Sequence, residues 1–599
     1  MVNILQNFQT ANHFNFPYLY EENVHICLKA GGLVRCNIYR PKTSDQVPAL
    51  VTYGPYGKDI YYGQVKPPKA NPRYKSVPPA WETPDPGFWT EHGYAVIRAD
   101  EAGTGQSPGV LDPLSRATTD GFVDVVEWAA EQPWSSGKVG LLGTSYYAES
   151  HRCRHGGILS NTYIETWWNS QIVANQYGRP GRAKCTRGPE TLDGDLSEEQ
   201  LMANRRDQTV DNRSNYFLDD EYYASRVYNF GDIEVPLLSV GNWGDITLHL
   251  RGNIEGFTHA GSKFKYLRII VGRHDRPFYY QEEVEVQRSF LDAFLKGEDR
   301  VGWATPRKMP PVSIVVRKGD VGVDNPRGER TYRCREEDEW PIGRTHYSKH
   351  WLTPSRIIHT YWTPAVIEVT TLGYRSLGTL DNPRETEITG HITVHLNISR
   401  SAEYSLDEGA VPCDIDIFLT LRHISPEGKE ILYTGPTGDP VPVSKGWLRV
   451  SLRKVNTEHP YHRDWLPRRE YRRCDVQAVV PGKVYGVDVE MWPTNVVVEA
   501  RGKLILDVTS GDTQGCGDVQ HDDVLDRTFA GMNYIHFAPG LENYIILPEI
   551  PSKAETARAY VDYGSPNPSS IHRDTMYPSS FMFPECDRNQ HSSRFTQRK

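Results

Sequence analysis

The sequence predicts an α/β unit on a mostly parallel sheet, interrupted by a helical cap and followed by a β-sandwich of the jelly-roll kind. Three observations carry this. Between residues 47 and 142, short apolar runs that read as buried strands alternate with loops and one amphipathic helix, which is the order of an α/β domain. The stretch 158–230 holds helical spacing and no buried-strand run. From about residue 350 onward, alternating strand-like segments with turn-rich spacers take over, as in two-sheet β proteins. At 599 residues the chain exceeds what one core supports. The expected divisions are 1–157 and 231–345 for the two parts of the α/β domain, 158–230 for the cap and 350–599 for the sandwich.

Strand candidates at 24–28 and 33–39 are joined by Lys29-Ala30-Gly31-Gly32, a hairpin connection. Residues 47–52 form a compact buried-strand candidate, its pairing expected to start after Pro48, which has no N–H to give. It ends in the loop Tyr53-Gly54-Pro55-Tyr56-Gly57-Lys58-Asp59, and residues 60–87, rich in Pro, Lys and Tyr, read as irregular. Residues 95–100 are the next strand, followed by Glu101-Ala102-Gly103-Thr104-Gly105-Gln106-Ser107. This run is unlike a dinucleotide loop, because Pro108 and Pro113 interrupt the helix that should follow. A tight loop at the site is the better reading. Phe122, Val125, Val126 and Ala129 recur at i, i+3, i+4 and i+7 and predict an amphipathic helix, with Thr119 or Asp120 as its cap.

The apolar run 139–142 then breaks at Gly143-Thr144-Ser145-Tyr146-Tyr147. A serine at such a strand-to-helix break reads as the nucleophile elbow of an α/β-hydrolase. Gly143 keeps a side chain out of the turn, and Tyr147 stands where the general pattern has a second glycine. In the cap, Ile164, Trp167, Trp168, Ile172 and Val173 recur at roughly helical spacing, either lining an acyl pocket or packing helices. Strands at 235–240 and 266–271 then end in Gly241-Asn242-Trp243-Gly244-Asp245 and Gly272-Arg273-His274-Asp275. Open α/β sheets keep their sites at such strand ends. Residues 286–295 read as a closing helix, with Gly297 as its C-cap.

Nucleophile, acid and base candidates thus follow in the order Ser, Asp, His. Ser145 would attack an acyl carbon, His274 would take and return its proton, and Asp245 would hold the imidazole tautomer. His249 and Asp275 are nearby rivals. Acyl transfer also needs oxyanion donors. One is the backbone N–H of Tyr146, and the second is a hydroxyl from Tyr53 or Tyr56.

A net charge of −9 without a long basic block argues against nucleic acid as a partner. No apolar run approaches membrane-spanning length, and the first residues lack the basic start and apolar core of a signal peptide. Nine cysteines without a C-x-x-C pair are expected to be free thiols in a cytoplasmic protein.

The sequence resembles the cocaine esterase and X-Pro dipeptidyl-peptidase family of α/β-hydrolases. The resembling segments are Gly54-Pro55-Tyr56-Gly57-Lys58, Gly103-Thr104-Gly105-Gln106-Ser107, Gly143-Thr144-Ser145-Tyr146-Tyr147 and Gly241-Asn242-Trp243-Gly244-Asp245. Downstream, Asp414-Ile415-Asp416-Ile417-Phe418-Leu419, Gly446-Trp447-Leu448-Arg449 and Val489-Glu490-Met491-Trp492-Pro493-Thr494 are similar to its jelly-roll segments. The resemblance implies Ser145 as nucleophile, Asp245 and His274 as acid and base, and Tyr56 rather than Tyr53 in the oxyanion hole. It implies a small-molecule ester or amide substrate, occasionally a peptide bond ending in proline, and no metal or organic cofactor. A homo-oligomer is compatible with the sequence.

One departure stands out. Family members carry a full helix and a further sheet strand behind the elbow, whereas here residues 146–154 run straight into His155-Gly156-Gly157. No strand candidate follows before residue 235. The expected consequence is unpaired backbone beside the gap, or a sheet that closes up and moves Asp245 relative to Ser145. The alternatives to an esterase are therefore an X-Pro type aminopeptidase, with Glu149 or cap acids holding a free amine, and a non-catalytic homologue. A carbohydrate-binding role for the sandwich is a weaker reading.

Overall fold

The structure, a computed structural model, describes residues 10–12, 14–59, 82–148, 153–180, 194–353, 358–359, 370–372, 379–381, 384–400, 414–513, 519–523, 525–526 and 532–551. Glu149, a candidate for holding a free amine, lies outside them.

Strands β1 (Thr10–Asn12), β2 (Leu19–Cys27), β3 (Leu33–Arg40), β4 (Val47–Gly54), β5 (Ala95–Asp100) and β6 (Ser135–Leu141) form a six-stranded sheet in the order β1-β2-β3-β5-β4-β6. β4 runs parallel to both β5 and β6. Every residue of β4 and β5 is buried, as short apolar runs in a covered parallel sheet must be. Pro48 interrupts the β4–β6 ladder between Val47 and Ala49 instead of preceding it, since Val47 already pairs with Ser135. Helix α1 (Pro86–Glu91) packs before β5, and α2 (Arg116–Ala130) before β6. The cap of α2 is Ser115, whose hydroxyl accepts the Thr118 N–H, and not Thr119 or Asp120, which lie one turn inside the helix.

After the elbow, β7 (Arg154–His155) and β8 (Ile158–Leu159) make a minimal ladder. Short helices follow: α3 (Thr162–Trp167), α4 (Glu198–Ala203), α5 (Gln208–Ser214) and α6 (Glu221–Ala224). β9 (Leu237–Asn242), β10 (Lys265–Ile270), β11 (Val312–Val316) and β12 (Arg333–Glu337) then form a separate four-stranded sheet in the order β12-β11-β10-β9. Between β9 and β10 lies α7 (Leu250–His259), and α8 (Gln281–Leu291) follows β10. The closing helix ends with Gly297 at φ 78°, a left-handed C-cap that suits glycine.

The gap behind the elbow is therefore real. Among the described residues, β6 pairs only with β4 and β9 only with β10, so the sheet is divided where a strand is missing. Leu141 on β6 is 56% exposed and Val240 on β9 39%, values unlike the interior of a doubly covered sheet. The halves are held by packing instead of strand pairing. One apolar cluster joins Leu50, Phe88, Trp89 and Val96 of the first half to Tyr266, Val286, Phe290 and Leu291 of the second. Gly140 of β6 lies against Leu291 and Leu295, where a Cβ would come within 2.8 Å of Leu295.

The C-terminal part is a twelve-stranded sheet that curls around its own core, with Val394, Leu396, Leu419, Leu448, Val489, Met491 and Leu506 inside. The runs at 388–394 and 503–508 fall within its strands Thr386–Arg400 and Lys503–Thr509, and those at 415–420 and 446–450 overlap Asp416–Ile424 and Ser444–Arg449 to within one residue. This sheet braces the α/β part. Arg449 N–H donates to Gly156 O at 2.8 Å, and the Arg251 guanidinium pairs with Glu490. Among the described residues, Cys27, Cys36, Cys153, Cys334 and Cys474 are free thiols, and no helix is long and apolar enough to cross a membrane.

Candidate active site

Ser145 lies just past β6, after Leu142-Gly143-Thr144, and has φ 60°, left-handed backbone that is costly for a residue with a Cβ. Such strain is what a nucleophile elbow requires, because the sharp turn lifts the hydroxyl off the sheet edge. The turn is fixed from outside by the Thr144 N–H, which donates to Glu82 O at 3.1 Å. Glu82 itself has φ 58° and is buried.

Asp245 and His274, from the ends of β9 and β10, meet as expected: His274 Nδ1 and Asp245 Oδ2 lie 2.7 Å apart. The sandwich supports both loops. The His274 N–H donates to Pro436 O at 3.0 Å, and Gly244 lies so close to Thr434 O that a Cβ would come within 1.9 Å. On its other nitrogen, His274 faces the Glu82 carboxylate, with Nε2 and Oε1 3.5 Å apart. Burial alone would lower the His274 pKa, but Asp245 above all, then Glu82 and Asp275, raise it to about 9. The surrounding carboxylates thus favour the charged form of His274.

The imidazole beside the serine is a different one. Ser145 Oγ and His249 Nε2 are 3.2 Å apart, and the His249 and His274 rings lie with centroids 4.8 Å apart and planes tilted by 39°. His249 is the residue at the N-cap of α7, buried, and its pKa lies well below the ordinary value because of burial first and the His274 charge second. Asp275, the other rival, is engaged by Arg273.

The two tyrosines weighed for the oxyanion hole part company. Tyr53 stacks on Phe122 of α2 within the sheet core. Tyr56 lies with Tyr146 and Trp167 in a second buried cluster beside the elbow, and its hydroxyl accepts the Trp167 indole N–H at 3.0 Å. The side chain of Tyr146 points away from solvent and donates its hydroxyl to Glu101 Oε2 at 2.8 Å, while accepting the Leu114 N–H. Of the cap residues at helical spacing, Trp167, Trp168, Ile172 and Val173 join this buried cluster, whereas Ile164 packs with Cys153 and Leu159.

Neither Glu82 nor Glu101 is among the site residues that the sequence predicts. Glu82 sits in an irregular stretch and reaches the site only through tertiary contact. Glu101 had a signal, an acid directly after a buried strand. Its complete burial raises its pKa to about 8, against the lowering effect of the Tyr146 hydrogen bond. The folded state therefore holds a proton that the unfolded chain releases above about pH 4.5. Native stability falls as pH rises from there through 8 and levels off beyond. Glu101→Gln keeps an acceptor for Tyr146 and removes this titration. Melting temperatures of both proteins between pH 4.5 and 9 are expected to favour the variant progressively toward pH 8. Parallel curves would show that Glu101 is ionised throughout.

A divided α/β sheet with a strained serine at the elbow, an acid–imidazole pair at the next two strand ends and a sandwich behind them defines the α/β-hydrolase class. The X-Pro dipeptidyl-peptidase (S15) family matches residues 31–151, and the X-Pro dipeptidyl-peptidase C-terminal non-catalytic domain matches residues 379–546. Two separate segments of the chain thus match models of the same hydrolase family. It is 22% identical to the cocaine esterase of Rhodococcus sp. (strain MB1 Bresler), over 89% of this chain and 99% of that protein. The fold is shared with a CocE/NonD family hydrolase from Staphylococcus aureus (TM-score 0.76, 21% identity, 92% of this chain and 98% of that one). It is shared more distantly with an aminopeptidase from a marine sediment Thaumarchaeota archaeon (TM-score 0.58, 13% identity, 91% and 98%).

Proposed function

We propose that the protein is a serine hydrolase that cleaves a carboxylic ester or amide of a small molecule through an acyl-enzyme on Ser145. The observation that carries this reading is the elbow itself: a serine at φ 60° whose Oγ lies 3.2 Å from an imidazole nitrogen. Ser145 attacks the acyl carbon as an imidazole takes its proton, and the leaving alcohol or amine receives that proton. Asp245 and His274 supply the acid–imidazole pair behind this step. The Tyr146 N–H and the Tyr56 hydroxyl hold the oxyanion. The cocaine esterase likeness favours an ester, whereas the match to the X-Pro dipeptidyl-peptidase family keeps the X-Pro type alternative in view.

Tyr56→Phe is expected to lower kcat by about 10²- to 10³-fold with little change in KM, the usual loss for one oxyanion donor. An unchanged kcat would remove Tyr56 from the hole. The nucleophile is tested by incubating the protein and Ser145→Ala with a fluorophosphonate probe and measuring intact mass. One adduct on the parent and none on the variant supports the reading. The divided sheet favours a second reading, a non-catalytic homologue. No adduct on a folded parent would establish that one instead.

A further inference from the structure

We propose that Glu101 is a positioning residue for the oxyanion hole, acting through the Tyr146 hydroxyl. The inference rests on the serine hydrolase reading above and names what holds its oxyanion donors in place. The Tyr146 N–H can serve only if the peptide after Ser145 keeps its plane, because a donor must aim at the place where charge develops. Among the described residues the elbow is backed by the short turn Ser145–Ala148, and β7 already begins at Arg154. The Tyr146 side chain supplies the hold instead. Its hydroxyl donates to Glu101 Oε2 at 2.8 Å and accepts the Leu114 N–H at 3.0 Å. Its ring lies 6.0 Å from that of Tyr56 and 6.3 Å from that of Trp167, centroid to centroid. A residue packed along its ring and tied at its far end cannot turn about its Cα without breaking one of these contacts.

Glu101 is itself firmly placed. It follows β5 directly and is wholly buried. Its N–H donates to Gly54 O at 3.2 Å, and its carbonyl accepts the Thr104 N–H at 3.1 Å and the Thr104 hydroxyl at 2.9 Å. Gly54 ends β4, the strand before the loop that carries Tyr56, and β4 pairs with β6, the strand before the elbow. One acid therefore links the end of β5 to both segments that bear an oxyanion donor. The Trp167 indole joins the two donors as well, since its N–H donates to the Tyr56 hydroxyl and its ring packs on Tyr146. Loosening Tyr146 would disturb Tyr56 with it.

The test compares p-nitrophenyl acetate with its thionoester, in which sulfur replaces the carbonyl oxygen, on the full-length parent, Glu101→Leu, Tyr146→Phe, the double variant and Glu101→Gln. A well-aimed hole favours the oxygen ester, so the ratio of the two kcat values reports its geometry. Glu101→Leu and Tyr146→Phe are each expected to lower kcat for the oxygen ester by about 10- to 100-fold with KM nearly unchanged, the scale of a misplaced rather than a deleted group. The kcat ratio should shrink in both. The double variant should lose no more than the weaker single one, because both remove the same bond. Glu101→Gln, which keeps an acceptor for the Tyr146 hydroxyl, should recover most of the loss. A merely structural pair would lower both esters equally and leave the ratio at the parent value, and that outcome overturns the proposal. So does a Tyr146→Phe that keeps the parent kcat. Should Glu101→Leu misfold, the ratio in Tyr146→Phe decides, since that variant only deletes one oxygen. A folded parent that hydrolyses neither ester is a separate failure, which sinks the serine hydrolase reading and this inference with it.

Discussion

Ser145→Ala is expected to lower kcat toward activated phenyl esters by about 10⁴- to 10⁶-fold, the loss that follows removal of a serine nucleophile from an intact constellation. KM should change little, because the variant deletes one oxygen and leaves the buried cluster of Tyr56, Tyr146 and Trp167 beside the elbow in place. Alanine at φ 60° carries the same backbone strain as serine, so the fold is not relieved or further stressed by much. Initial-rate kinetics on the two proteins check this. A variant retaining a tenth of the parent activity would place the chemistry elsewhere.

The second large effect concerns the brace between sandwich and elbow. Arg449 is buried and makes paired bonds to Asp416, 2.9 Å from Nε and 2.9 Å from Nη2, with a further bond to Asp526 at 3.0 Å. Asp526 in turn holds Arg154, just behind the elbow, at 2.8 Å. Arg449→Leu leaves Asp416 and Asp526 buried with too little positive charge, at a cost of about 3–5 kcal/mol. Denaturant unfolding should show a correspondingly lower midpoint. Adding Asp416→Leu should recover part of the loss, because an apolar pair replaces a stranded charge. Strictly additive losses would mean that Arg449 and Asp416 are not coupled.

How much of this was legible in the sequence depends on how local each feature is. Strand β5 has the bounds read from its apolar run, because six consecutive buried residues leave no other register. Ser145, Asp245 and His274 each follow a strand, and strand ends are visible in a linear pattern. The missing strand was legible as a shortfall of residues behind the elbow, and the structure turns it into two half-sheets. The cap of α2 was misplaced because Ser115, Thr119 and Asp120 all suit a cap, and helix length decides among them. The pairing of Ser145 with His249 depends on which strand borders the gap. The approach of Glu82 to His274 depends on how a loop returns across the site. Neither relation has a spacing that a sequence can display.

The most direct measurement is the intact mass of the protein quenched within its first turnovers of p-nitrophenyl acetate, with the acylated peptide mapped. An acetyl group on Ser145, appearing with a burst of nitrophenol, is the expected result. A folded protein that shows neither burst nor acetyl-Ser145 would contradict the acyl-enzyme mechanism.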